Sequence, residues 1–184
     1  AVKLPMPPSC LPGIWQDFPR FKKVYLDPVP GYYLSGDGGY FDDDGYLFIM
    51  GRIDDVINIA GHRLSTGRME EVVAAHSSVA ECAVVGINDD LKGQLPVGFV
   101  ILKDGVDISE DKLREEVVAL VRGEIGAIAC FHQMHVVSRL PKTRSGKVLR
   151  KVIRQIAHGE EFVVPSTIDD PASLGEFFDL LAPA

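Results

Sequence analysis

Between Ser65 and Gly159 the hydrophobic pattern alternates between helical and extended spacing, and that alternation limits what the chain can become. In STGRMEEVVAAH, Met69, Val72, Val73 and His76 fall at i, i+3, i+4 and i+7, the spacing of one helix face. Ser65 or Thr66 stands where a cap is needed, and Glu70 and Glu71 suit the positive N-terminal end. AECAVVGI and PVGFVILKDG are short apolar runs that read as buried strands. SEDKLREEVVALVRGEIG predicts a helix capped by Ser109, acidic in its first turn, with Leu113, Val117, Leu120 and Val121 on one face and Gly126 past its end. QMHVVSRL reads as a third strand. SGKVLRKVIRQIAHG reads as a third helix starting at Ser145, with Val148, Leu149, Val152, Ile153 and Ile156 as its buried stripe. The expectation is an α+β domain with helices on a small mixed three-stranded sheet, then a loosely structured tail with a short final helix.

The chain ahead of this region has another texture. Pro5, Pro7, Pro8, Pro12, Pro19, Pro28 and Pro30 punctuate its start, among aromatic residues. Residues 1–36 should therefore resist helix and form irregular chain with short edge strands. YFDDDGYLFIM predicts a β-hairpin turning at Asp44-Gly45. Val56, Ile57 and Ile59 form an extended alternation that stops at Gly61.

Composition excludes several classes. No apolar run approaches the ~18 residues needed to span a bilayer, and no Arg/Lys-led leader is visible, so a cytoplasmic location is expected, or the mitochondrial matrix in a eukaryote. Cys10, Cys82 and Cys130 are odd in number and widely spaced, which points to neither a disulfide framework nor a metal site. A net charge of −7 argues against a nucleic-acid partner.

Against that acidic background, Ser138–Gly159 carries seven basic side chains and no acidic one. Lys147 is expected in the first turn of the third helix, where the helix dipole is already positive. With Lys142 and Arg144 it would form a pole suited to an anion; the plainer reading is a solvated basic loop. Asp37 lies between Gly36 and Gly38, where a carboxylate could accept two ribose hydroxyls or simply make a turn. Arg52 and Arg63, each near a glycine, suit phosphate or ribose contact, or salt bridges to Asp54 or Asp55. Asp42–Asp44 fail the calcium-loop pattern and read as a solvated turn. No two histidines have metal-ligand spacing.

The order of these signals is specific. YYLSGDGGYFDDDGYLFIMGRIDDVINIAGHRLSTGRMEE, followed further along by LPKTRSGKVLR, resembles the C-terminal portion of the adenylate-forming acyl-CoA synthetases. KLPMPP, VPGYY, CAVVGINDDLKGQLPVGFV and VPSTIDDP are most similar to the short-chain branch, acetyl- and especially propionyl-CoA synthetases. The resemblance implies ATP and CoA as substrates, AMP as product and Mg2+ with the nucleotide. It implies that Asp37 and Arg52 bind the nucleotide ribose and that Arg63 lies near the adenylate phosphate. Asp54 would be a hinge, Ala60 and Gly61 would line a CoA tunnel, Arg122 would contact CoA phosphates, and Lys147 would catalyse adenylation. A cation near Ala74, His76 and Val79 is implied in some relatives, held largely by carbonyls. Residues 1–53 would be a barrel-like remnant of a large N-terminal domain, and 54–184 the mobile C-terminal domain with its tail. The partners implied are a short-chain carboxylate, the missing domain, and a lysine acetyltransferase and deacetylase acting on Lys147; no membrane is expected. The alternative is a stand-alone nucleotide- or CoA-binding regulatory module, in which residues 1–36 would be buried within the molecule.

Overall fold

The computed structural model describes residues 1–181. The chain forms two compact units that divide between Asp54 and Asp55.

In the first unit, β1 (Val2–Lys3) pairs antiparallel with β2 (Tyr32–Tyr33). Between them a short helix, α1 (Phe18–Phe21), continues into a π-helical turn over Lys22–Leu26. The prolines predicted no helix here. One forms because Pro19 falls in the first turn, where its missing N–H is not needed, and Asp17 caps the end by accepting from Arg20 N at 3.1 Å. Phe21 is buried against Tyr25 and Tyr33, with ring centroids 5.4 and 6.4 Å away. β3 (Asp37–Phe41) and β4 (Leu47–Arg52) make the expected hairpin. Asp42 organises its turn, since its carboxylate accepts from Asp44 N and Tyr46 N. Much of the aromatic surface is uncovered: Trp15, Phe18, Phe41 and Tyr46 are all exposed.

The second unit is built on one sheet. β5 (Val56–Ile59) and β6 (His62–Ser65) form a tight hairpin, α2 (Thr66–Ala74) follows, and β7 (Val79–Asp89) and β8 (Gly93–Leu102) make the long central hairpin. α3 (Glu110–Glu124) leads to β9 (Gln133–Val136), then α4 (Arg150–Ala157) and α5 (Gly175–Leu181). The strand order is β6-β5-β8-β7, with β9 parallel to β8. The three strands expected from the sequence, β7, β8 and β9, are present as a mixed group, and the β5–β6 hairpin extends them to five.

Alternation along β7 and β8 gives each face its own core. Val84 and Val100 point with α2 and α3 into one cluster; Ala83, Val85, Val97 and Phe99 point with α4 into the other. Ser65 caps α2 by accepting from Arg68 N, and Ser109 caps α3 by accepting from Lys112 N.

Two expectations are corrected. The third helix starts at Arg150, not Ser145: the N–H of Leu149 goes back to Pro141 O at 2.9 Å, and Lys142 bridges Val148, so residues 142–148 form a small loop hairpin. The tail is packed rather than loose. Ile168, Leu174 and Phe177 are buried in the second core, and Phe177 lies 4.8 Å from Phe99 by ring centroids.

Candidate active site

In the first unit, Asp37 and Arg52 stand opposite one another in the β3–β4 ladder. Arg52 Nη1 donates to Ser35 O at 2.9 Å and reaches Asp37 Oδ1 at 3.5 Å, while Nε donates to Asp54 Oδ1 at 3.0 Å. Slight burial pulls the guanidinium pKa down, but Asp54 and then Asp37 outweigh it and hold the group above its ordinary value. All three side chains are well exposed, so each ion pair contributes only about 0–1 kcal/mol. Their value is positional. Gly36 makes the seat: at φ +80°, a Cβ there would lie 2.6 Å from Arg52 Nη2. The result is an exposed carboxylate fixed beside an arginine at a strand end, a group able to accept hydroxyls from a diol.

In the second unit, Lys147 is exposed on the loop hairpin ahead of α4. Thr143 N donates to Lys147 O at 2.8 Å, Gly146 N to Thr143 O at 2.7 Å, and Lys147 N to Thr143 Oγ1 at 3.1 Å. Thr143 Oγ1 also meets Ser145 Oγ at 3.0 Å. The expected placement of Lys147 in the first turn of a helix is overturned: Leu149 is the N-cap residue, so Lys147 precedes the helix and is not part of its first turn. Lys142 leaves the basic group too, because it pairs with Glu81. Arg144 and Lys147 have no carboxylate partner among the described residues.

Ala60 and Gly61 form the two-residue tip of the β5–β6 hairpin. Both have positive φ, 49° and 87°, as a tight hairpin of this twist requires. Ala60 N donates to Lys92 O at 2.7 Å, and Lys92 Nζ lies 3.4 Å from Cys130 Sγ. Cys130 and Arg122 line a single cavity with Phe131 and His132. The structure thus brings Gly61 and Arg122 into one neighbourhood through Lys92 and Cys130, two residues the sequence did not single out. Arg63, exposed on β6 opposite Asn58, belongs to the hairpin of Gly61 and not to the loop of Lys147.

These two groups sit at opposite ends of β8. Ile59 of the Gly61 hairpin pairs with Gly93, whereas Glu81, which holds Lys142, pairs with Ile101. Eight residues of strand separate those positions by roughly 26 Å.

Around the end of α2, the His76 ring is engaged. Nδ1 accepts from Ser78 N at 3.2 Å, so in the neutral ring Nε2 carries the proton toward Glu116 Oε2 at 2.9 Å. The His76 carbonyl accepts from Val79 N, and the carbonyl of Ala74 belongs to the last turn of α2. No group of three His, Cys, Asp or Glu among the described residues could hold a metal.

Glu70 has a role unlike the expected helix-end charge. It receives Arg150 Nε at 2.9 Å and Nη2 at 2.7 Å, and also Val84 N at 2.8 Å. Burial works against the Arg150 charge, but Glu70 outweighs it and raises its pKa. The pair ties α2, β7 and the start of α4 behind the Lys147 loop.

Comparison with known proteins shows what the chain is similar to. Residues 68–147 match the AMP-binding enzyme C-terminal domain. An uncharacterized Pseudomonas aeruginosa protein is 60% identical over 95% of this chain, which covers 28% of that protein. The mitochondrial acyl-CoA synthetase short-chain family member 3 of Mus musculus is 46% identical over the full chain, which covers 27% of it. The amide bond synthetase McbA of Marinactinospora thermotolerans has a similar structure, with a TM-score of 0.62, 32% identity, and coverage of 78% of this chain and 28% of that one. The chain thus spans about a quarter of the length of the relatives it matches. Residues 68–147 are thus an AMP-binding enzyme C-terminal domain.

Proposed function

We propose that this chain is the C-terminal part of an ATP-dependent acyl-CoA synthetase that joins a short-chain carboxylate, propionate or acetate, to CoA through an acyl-adenylate. In this reading the carboxylate attacks the α-phosphate, pyrophosphate leaves, and the CoA thiol then displaces AMP. Negative charge accumulates on phosphate oxygens during the first step, and a fixed cation there lowers the barrier. Lys147 supplies it: its backbone is held on both sides of the loop, while its ammonium has no ion pair among the described residues. Asp37 and Arg52 hold the ribose, and Arg63 serves near the adenylate phosphate. Ala60 and Gly61 admit the pantetheine arm, and Arg122 meets the CoA phosphates. Mg2+ accompanies the nucleotide, and the residues described here do not make a site for it. A cation on the carbonyls of Ala74, His76 and Val79 stays part of the proposal without a role in the chemistry.

The observation that carries this reading is the placement of the Lys147 loop and the Gly61–Arg122 neighbourhood at opposite ends of β8. One mobile domain can then serve two half-reactions in turn by rotating about Asp54, beside the point where the chain divides. A stand-alone module is disfavoured by the exposed aromatic residues of 1–54. The isolated chain, lacking the rest of the enzyme, should not release AMP from ATP, propionate and CoA; robust release would count against it. In the full-length parent, Lys147→Ala should reduce carboxylate-dependent ATP–pyrophosphate exchange by more than 100-fold and spare thioester formation from supplied acyl-adenylate. Retained exchange would overturn the assignment. The exposure of Lys147 also makes it a target for an acetyltransferase and a deacetylase, since acetylation removes the charge.

A further inference from the structure

Among the described residues no carboxylate pairs with Lys147 to aim its side chain, so its direction depends on how firmly its loop is held. The inner edge is held by the hairpin itself. The outer edge is held by the tail. Thr143 pairs with Ile168 in an antiparallel bridge, Arg144 N donates to Thr167 O at 3.0 Å, and Asp169 N donates to Lys142 O at 2.9 Å. Residues 142–144 therefore run as the middle strand of a three-stranded miniature ladder, with the tail as its third member.

The tail also grips the chain entering the loop. Glu176 accepts from Ser138 N at 3.0 Å and from Ser138 Oγ at 2.8 Å, and Asp170 pairs with Arg139. Asp170 in addition caps the turn before α5 by accepting from Ala172 N at 2.9 Å. All of this is anchored by Ile168, Leu174 and Phe177 in the core shared with α4 and β8. The buried anchors and the polar contacts lie on one segment of the tail, and the polar contacts converge on the segment leading to Lys147.

We propose that Thr167–Asp169 is a positioning brace for the Lys147 loop, acting on the adenylation half-reaction alone. This rests on the assignment of Lys147 above. The Gly61–Arg122 neighbourhood lies at the far end of β8 and shares none of these contacts, so thioester formation does not depend on the brace.

Asp169→Pro tests it, because proline removes the one N–H that reaches Lys142 O and leaves the buried anchors in place. Asp169→Ala, which keeps the N–H, is the control; Asp169 is exposed, so its side chain is dispensable. In the full-length parent, Asp169→Pro should lower kcat for carboxylate-dependent ATP–pyrophosphate exchange at least 10-fold with KM for ATP within twofold. Thioester formation from supplied acyl-adenylate should stay within twofold, and Asp169→Ala should match the parent in both assays. Unchanged exchange, or an equal fall in both half-reactions, overturns the proposal. Lys147→Ala in the same assay separates the two claims: if it spares exchange, the assignment of Lys147 fails; if it abolishes exchange while Asp169→Pro does not, only the brace fails. Hydrogen exchange on this 184-residue chain gives a second reading independent of activity. Asp169→Pro should speed exchange at the Thr143, Arg144 and Lys147 amides at least 10-fold and leave the β7–β8 amides unchanged. Unaltered loop amides, or a rise spread over the whole sheet, would refute a local brace.

Discussion

Cys82 is half-buried on β7, and its Sγ donates to Glu70 O at 3.4 Å. Burial first, and then the nearby Glu70 carboxylate, push its thiol from an ordinary 9.0 up to about 12, with Arg150 pulling the other way. The folded state therefore keeps a proton that the unfolded chain releases near 9. The contribution to stability is complete below pH 9 and is lost as pH rises toward 12. Cys82 should resist alkylation by iodoacetamide at pH 8 while exposed Cys10 reacts, and Cys82→Ala should flatten the fall in unfolding free energy between pH 9 and 12. Rapid native-state labelling of Cys82 would contradict this. Gly36 gives a second test at this scale. Gly36→Ala places a methyl against the Arg52 guanidinium at a φ that disfavours any side chain, so nucleotide affinity of the full-length parent should fall about 10-fold, a loss of about 1.4 kcal/mol. Titration calorimetry reads this directly, and unchanged affinity would remove the proposed ribose role from the Asp37–Arg52 pair. Cys82 had no legible role in the sequence, because its surroundings come from α2 and α4, 12 and 68 residues away in the chain.

The Glu70–Arg150 pair joins three elements, and its side chains are only 15% and 21% exposed. Arg150→Met would leave the largely buried Glu70 carboxylate without its partner, at a cost of up to about 3–5 kcal/mol. Denaturant titration should show that loss, and adding Glu70→Gln should return part of it, since the uncompensated charge is then gone. A single-variant loss below about 0.5 kcal/mol would show the pair to be solvent-screened. Helices α2 and α3 were legible because their caps and apolar spacings are local facts: Ser65, Met69, Val72 and Val73 for one, Ser109, Leu113 and Val117 for the other. The start of α4 was not. Val148 and Leu149 fit the helical stripe as well as Val152 does, yet they are captured by Lys142 and Pro141, and the tail fixes residues 142–144 from the far side. The tail itself has no periodicity, and Ile168 finds Thr143 across 25 residues, so nothing in VVPSTIDDP announces a packed strand. Of the candidate site, Asp37, Arg52, Gly61 and Lys147 could be named as candidates, because each sits in a short motif. Lys92 and Cys130 could not, because their meeting depends on the β7–β8 turn approaching the segment after α3.

At the scale of the whole chain, the core is unevenly shared. Among the described residues, every buried hydrophobic except Phe21 lies between Ile57 and Phe177. Those residues form two clusters on the two faces of one sheet, both inside the second unit. A domain with its own two-sided core and its helix caps in place should fold by itself. Residues 1–54 have no comparable core, and Trp15, Phe41 and Tyr46 are 87%, 68% and 70% exposed. Chains of this length rarely hold a fold on so little burial, and exposed aromatic surface of this kind favours association. A chain comprising 55–184 should then be monomeric, with a cooperative denaturant transition and the far-UV dichroism of a mixed sheet and helices. A chain comprising 1–54 should show no cooperative transition and should associate as its concentration rises. Failure of 55–184 to fold would mean that the first unit supplies stability its burial does not reveal. Cooperative, monomeric folding of 1–54 would mean that its aromatic surface needs no cover, and would weaken the view that it is one edge of a larger domain.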